Sequence, residues 1–439
     1  MTPQSQYAAK RMTPDNAVAR IASGAKLSMG MAVAEPPALL AALARRAQAG
    51  DIEDLRIYYL HSSRHAAETI LRYELMDRIR PHCMFYTSVE RDLIRQGKGD
   101  GRKVVFFVPN TFHQAPRLLT ERIGVDTMLV TVSPMDRHGY FTLGCGNDYS
   151  SAAVAAARQV IVEVNAKMPR VFGRNAQIHV SAVDAIVENT VALLEFPMRA
   201  ATATDRAISR QIAAMTPDGA CLQMGVGAIP NLVCEDLQER NDLGVHTEAL
   251  CPGLVDLAKA GVVNNRRKAI DHGKTVFTFA VGDRAMYDFL HDNPSVESCP
   301  VEYVNDPRVI AENDGVVSIN ATLQIDLTGA CNSEHMMGHQ FSGSGGQLDF
   351  VRGAYASRGG KSIIACHATA RDGAVSRIVG RLDGPVTTPR IDTHIVVTEY
   401  GAVDLKGMSS DERALALIGL AAPPFREELL YEARQSNLL

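Results

Sequence analysis

Apolar runs rich in β-branched and aromatic residues alternate with Ala- and Leu-rich stretches along the first half of the chain. Residues 54–60 (DLRIYYL), 103–110 (KVVFFVPN), 127–133 (TMLVTVS) and 159–165 (QVIVEVN) are short, nearly unbroken and bounded by polar positions. They predict buried strands. Residues 36–48 (PPALLAALARRAQ), 64–79 (RHAAETILRYELMDRI) and 150–159 (SSAAVAAARQ) carry helical spacing and predict helices. Strand and helix in alternation imply a largely parallel sheet with covering helices. Met135-Asp136-Arg137-His138-Gly139 is a polar turn ending in Gly between two strand-like runs, and reads as a hairpin.

One unit of this pattern occurs twice. Residues 24–30 read GAKLSMG and residues 219–225 read GACLQMG, with five of seven positions identical. Each copy follows a helix-like stretch and runs into a Pro-containing turn and an apolar helix, so one ancestral α/β unit is used twice. The copies differ at the turn. Only the second has Gly225-Val226-Gly227, and only it is followed by His246-Thr247-Glu248. A small, Thr/Ala-rich segment at 198–211 precedes the second copy and marks a boundary.

With 439 residues the chain is too long for one ordinary core. It is 46% hydrophobic and 21% charged, the composition of a globular protein. A net charge of −4, no Trp and 6% aromatic residues argue against nucleic-acid binding. Eight scattered cysteines without a CxxC read as free thiols in a reducing compartment. No stretch approaches the ~20 apolar residues of a membrane span, and the N-terminus lacks a signal-peptide core. The expectation is a cytoplasmic enzyme or binding protein with no membrane and no nucleic-acid partner.

Four places could carry chemistry. Gly225, Val226, Gly227, Ala228 and Ile229 form a turn that follows a strand and opens a helix. Its backbone N–H groups could bind an anion or a developing oxyanion, or it could be a tight structural turn. Pro230 stands where a dinucleotide fingerprint needs its third Gly. Ser342-Gly343-Ser344-Gly345-Gly346-Gln347 is a second backbone-rich loop, able to wrap a phosphate or pantetheine or to form a flexible hairpin tip. Glu248 falls at the carboxyl end of a predicted strand, where open α/β sheets place their sites, though an isolated Glu is ordinarily a solvated one. His335 and His339 have the i,i+4 spacing of a zinc helix, but Gly338 weakens that helix and Glu334 is not in the HExxH position. The expectation is no metal. No GxSxG elbow is present.

Taken in order, VSPMDRHGYFTLG, the GxGAIP turn, LGVHTE with GLVDLAKAGVV, INATLQIDLTG, SGSGGQLDFVRGA, GGKSIIA, VSRIV and VVTEYGAVDLKG resemble blocks of the acetyl-CoA hydrolase/transferase family of class I CoA-transferases. The resemblance is nearest to the 4-hydroxybutyrate and butyrate CoA-transferases. It implies two similar open α/β domains with mainly parallel sheets, residues 1–200 and 201–439, and an active site in the cleft between them. It implies Glu248 as the nucleophile, with Gly227 and Gly346 as catalytic N–H donors. Gly225, Val226, Gly227, Ala228, Ile229, Gly343, Gly345 and Gly346 are implied to bind coenzyme A. The reaction it implies moves coenzyme A from an acyl-CoA to a small carboxylate through a glutamyl-CoA thioester, with ping-pong kinetics and no cofactor beyond the substrate coenzyme A. A short monocarboxylate (4-hydroxybutyrate, butyrate or acetate) is the expected acceptor. A dicarboxylate such as succinate or itaconate, hydrolysis of the acyl-CoA, or a non-catalytic coenzyme A binder are the alternatives. A homo-oligomer, dimer or higher, is implied as well. Cys251-Pro252-Gly253, Gly144-Cys145-Gly146-Asn147-Asp148 and His335-Met336-Met337 depart from the family pattern.

Overall fold

The computed structural model describes residues 1–197 and 199–439. It divides into two units. Unit 1 is Met1–Phe196 with Val276–Tyr303, and unit 2 is Pro197–Thr275 with Val304–Leu439. The first break falls at the start of the 198–211 segment, whose Met198 lies outside the described residues. The expected halves 1–200 and 201–439 differ from this division by the segment Val276–Tyr303, which groups with unit 1.

In unit 1 the strands of the large sheet are β1 (Lys26–Met29), β2 (Leu55–Tyr59), β3 (Ile79–Cys83), β4 (Phe106–Phe107), β5 (Thr127–Val132), β6 (Gln159–Val164) and β7 (Ala185–Glu188). They form one sheet in the order β4-β3-β2-β1-β5-β6-β7, parallel throughout. All of β5 is buried, as expected for a parallel strand covered on both faces. Helix α1 (Pro37–Ala49) buries Leu39, Leu40 and Leu43 in the same core as Leu27, Ile57 and Leu129 of the sheet.

The strands that unit 2 contributes to its large sheet include β8 (Cys221–Met224), β9 (Gly244–Leu250), β10 (Val316–Ala321), β11 (Lys361–Ala365), β12 (Ile395–Thr398) and β13 (Gly401–Asp404). They run in the order β9-β8-β10-β11-β12-β13. All pairings are parallel except β12 with β13. Helices α2 (Ala203–Met215), α3 (Ala228–Asp236), α4 (Pro252–Lys259) and α5 (Gln347–Ala356) belong to this unit.

The two heptapeptides occupy matching positions. Each supplies a central strand, flanked by the next strand in sequence on one side and by a later one on the other. Gly24 and Gly219 enter these strands at φ +78° and +79°, a conformation that favours Gly. Gly30 N–H donates to Leu129 O at 2.8 Å, and Gly225 N–H to Ile319 O at 3.1 Å. The turns then diverge. A Cβ on Gly30 would run into the Ala34 carbonyl, whereas at Gly225 the nearest atom would be Ile319 O at 3.6 Å.

Two expectations change. Residues 64–79 are not one helix. They split into the short helix Arg64–Ala67, a 3-10 turn Tyr73–Leu75 and the start of β3. The sheet claims Ile79–Cys83 as a strand between β2 and β4, and the chain must turn back to reach it. The turn after β5 does close on itself, with Asp136 N–H donating to Tyr140 O. The returning strand Tyr140–Thr142 nevertheless pairs with Gln177–His179 rather than within the large sheet.

Candidate active site

Strand β9 carries Glu248 near its carboxyl end. Thr247 points to the other side and ties β9 to β8. Its hydroxyl accepts from Met224 N–H at 3.3 Å and lies 3.0 Å from Ala249 O. That places Gly225 and the turn after it at the carboxyl end of the strand beside Glu248. His246 shares the Glu248 face. It is buried, with Nε2 2.8 Å from Val304 O and its ring 6.5 Å from that of Phe350 on α5.

The Glu248 carboxylate is held from two directions. Asn305 Nδ2 donates to Oε2 at 2.6 Å, and Gly346 N–H donates to the same carboxylate. Gly346 is the N-cap of α5, so the carboxylate meets the positive end of a helix. Burial nevertheless pushes the Glu248 carboxyl up to about 7. The Asn305 hydrogen bond opposes this, the Asp349 carboxylate in the first turn of α5 adds to it, and the Gly346 hydrogen bond opposes it.

The glycines divide by function. Gly346 has an unremarkable φ of −96°, but a Cβ there would overlap the Glu248 carboxylate and the Asn305 amide. Only Gly lets α5 begin this close to the carboxylate. Gly227, the N-cap of α3, instead has φ +143° with open space around it, and Val226 beside it is 62% exposed. Ala228 and Ile229 are the first residues of α3. Gly343 and Gly345 are buried in the loop leading to Gly346. The structure thus joins Gly346 directly to Glu248 and sets the Gly225 to Ile229 turn at the neighbouring strand end.

Sequence reasoning missed Asn305, which is fully buried, and the amide pair of Gln223 and Asn320, in which Asn320 Nδ2 donates to Gln223 Oε1 at 3.1 Å. That pair joins β8 to β10 near their carboxyl ends. The only trace of Asn305 in the sequence is its place in an Asn-Asp-Pro turn. His335 and His339 sit on a hairpin, not a helix, and pair with Gln340 and Met336 respectively. Among the described residues no group of three or more His, Cys, Asp or Glu could hold a metal ion, and no helix is long and apolar enough to cross a membrane.

The chain is similar to known proteins over its full length. A succinyl-CoA:cyclohexane-1-carboxylate CoA transferase of Geobacter metallireducens is 42% identical, over 99% of this chain and 97% of that one. A 4-hydroxybutyrate coenzyme A transferase of Clostridium kluyveri is 40% identical over 98% of each. The crystal structure of RipA from Yersinia pestis is 64% identical, with a TM-score of 0.98 and all of both chains covered. Residues 1–195 match the acetyl-CoA hydrolase/transferase N-terminal domain and residues 282–433 the C-terminal domain of the same family. A half-buried, doubly held glutamate on a parallel strand, in a fold shared along its whole length with such proteins, places this chain in the acetyl-CoA hydrolase/transferase family.

Proposed function

We propose that this acyl-CoA:carboxylate CoA-transferase works by ping-pong exchange through a covalent thioester on Glu248. The observation that carries the reading is the clamp on its carboxylate by Asn305 Nδ2 and Gly346 N–H. Holding Oε2 leaves Oε1 to attack the acyl-CoA carbonyl. The tetrahedral intermediate expels the CoA thiolate and leaves an acyl-glutamyl anhydride. The thiolate then attacks Glu248 Cδ, the acid departs as its carboxylate, and glutamyl-CoA remains. A second carboxylate reverses both steps.

During attack at Cδ the negative charge develops on the glutamyl oxygen itself. Asn305 and Gly346 already donate to that carboxylate, so the same two donors become its oxyanion hole. Gly225, Val226, Gly227, Ala228 and Ile229, with Gly343 and Gly345, fit as backbone contacts for coenzyme A. The steps as written need no group beyond the substrates. The acceptor in this reading is a short monocarboxylate of the 4-hydroxybutyrate, butyrate or acetate type, supported by the Clostridium relative. A dicarboxylate acceptor, succinate or itaconate, is the second reading; the name of the Geobacter relative puts succinate on the donor side, as succinyl-CoA, and a cyclic monocarboxylate as the acceptor. The same reading makes the enzyme a homo-oligomer, and places it in the cytoplasm, a reducing setting that its eight free cysteines support.

The test is trapping. Enzyme incubated with acyl-CoA alone and then with borohydride should be modified at Glu248, and Glu248→Gln should lose transfer. Glu248→Asp withdraws the carboxylate by about 1 Å, which costs on the order of 10²-fold. A label on another peptide, or full transfer by Glu248→Gln, would refute the assignment. Release of free acid without an acceptor at the transfer rate would make the protein a hydrolase.

A further inference from the structure

The registers of β8, β9 and β10 line up three residues at the end of the sheet. Leu222 pairs with Val245, so three steps on Gly225 stands beside Glu248. The Thr247 contact to Met224 N–H holds that alignment. On the other side Met224 pairs with Ile319, which sets Gly225 beside Asn320. Paired residues of neighbouring strands point to the same face. Glu248 and Asn320 therefore rise from one face, on either side of a residue with no side chain. Two strand spacings, roughly 10 Å, separate them. Glu248, Gly225 and Asn320 are each half-buried and form an open strip along the sheet edge.

Gly225 is a glycine for neither of the usual reasons. Its φ lies outside the left-handed region. A Cβ there would meet only Ile319 O at 3.6 Å, an ordinary contact. What a side chain would do is fill the space between Glu248 and Asn320. Asn320 is in turn fixed by its neighbour. Gln223, two residues before Gly225 on the same face, is 3% exposed. Asn320 Nδ2 donates to Gln223 Oε1 at 3.1 Å, and Gln223 Nε2 donates to Asn320 Oδ1 at 3.4 Å. This reciprocal pair sets the plane of the Asn320 amide. A primary amide has two N–H donors and two acceptor lone pairs, so each half of it keeps capacity for one more partner.

We propose that Asn320 binds the pantetheine arm of coenzyme A at the amide nearest the sulfur, with the two carbons between them lying in the slot over Gly225. The proposal rests on the reading of Glu248 as the group that meets the thioester. With the sulfur on the Glu248 carboxyl carbon, six bonds run from that carbon to the oxygen of the first amide, roughly 6 Å when extended. A hydrogen bond adds roughly 3 Å. Together they span the distance from Glu248 to Asn320. The second amide of the arm lies roughly 5 Å further along the chain and overshoots. Amide against amide is a fitting match, since each side offers both a donor and an acceptor.

The test compares acyl-CoA with an analogue in which that amide is an ester, which lacks the N–H and is a weaker acceptor. The wild-type enzyme should favour the amide by about 3- to 10-fold in kcat/KM, the size of one hydrogen bond. Asn320→Ala should fall to the level of the ester and lose the preference. Gly225→Ala should keep its melting temperature and show a raised KM for acyl-CoA. An Asn320→Ala enzyme that keeps the wild-type preference, or that slows equally on both substrates, overturns the proposal. So does Gly225→Ala with an unaltered KM. These readouts are transfer rates and need no trapped intermediate. A label on Glu248 with the preference unchanged removes Asn320 alone, and a lost preference without a label removes only the covalent route.

Discussion

Asn305 Nδ2 and Glu248 Oε2 lie 2.6 Å apart across 57 positions of sequence. Asn305 is fully buried, so this is a fixed contact rather than a surface encounter. The amide supplies a donor where charge must sit in both the resting carboxylate and the intermediate. Asn305→Ala should lower kcat by ~10²–10³-fold, the usual effect of losing one such donor. Asn305→Asp should be as slow and should also move the pH–rate midpoint upward, because a second carboxylate faces the first. Steady-state rates across pH distinguish the two, and an unaltered kcat in Asn305→Ala would remove Asn305 from the mechanism.

Burial pushes the Glu248 carboxyl up to about 7 against its two donors. The ionised form is the nucleophile, so kcat/KM should rise with pH and level off above that value. Asp349 contributes like-charge repulsion. Asp349→Asn should therefore shift the midpoint to lower pH. A profile that is flat from pH 5 to 9 would contradict the link between Glu248 ionisation and rate.

Gly227 and Gly346 should fail for different reasons. Gly346→Ala introduces a Cβ into the Glu248 carboxylate and Asn305 amide, so kcat should drop while thermal stability changes little. Gly227→Ala meets no neighbour but strains a backbone at φ +143°, at about 1–3 kcal/mol. Its signature should be a lower melting temperature and a weakened KM for acyl-CoA. Calorimetry with steady-state kinetics on both variants checks the contrast, and identical behaviour would contradict it.

Stability should also depend on pH through unit 1. Glu35 is buried and pushed up to about 8 by burial, against hydrogen bonds from the Ser63 hydroxyl, Ser63 N–H and Ala66 N–H. Asp148 is pushed up to about 7, again by burial. Both stay protonated in the fold at pH values where the unfolded chain has released the proton. Their contribution is complete below the ordinary carboxyl range, declines progressively above it, and is lost once pH passes about 7 to 8. The melting temperature should fall from pH 6 to 9, and Glu35→Gln should flatten that slope. A melting temperature that climbs over the same interval would contradict the assignment.

What could be read from the chain follows physical range. Parallel strands buried on both faces announce themselves, and residues 54–60, 127–133 and 159–165 all contain the strands expected. The duplicated heptapeptide located both central strands because Gly24 and Gly219 serve the same backbone need. Residues 64–79 were misread because helical spacing within them outweighs any local sign that the sheet will claim Ile79–Cys83. Glu248 came from likeness to a family, since nothing local separates it from a solvated glutamate. Asn305 and the reason for Gly346 could not be read at all. Each depends on a contact made only after distant segments fold together.

The interleaving of the two units sets an order of manufacture. Unit 1 takes Val276–Tyr303 from beyond the first stretch of unit 2. A ribosome that has finished Phe196 has therefore not finished unit 1. At ~5–20 residues per second, the missing segment emerges roughly 5–20 s later. Until then the nascent chain carries an incomplete unit 1, with Pro197–Thr275 already trailing from it. A gene cut after codon 196 therefore yields a fragment of unit 1 that lacks Val276–Tyr303.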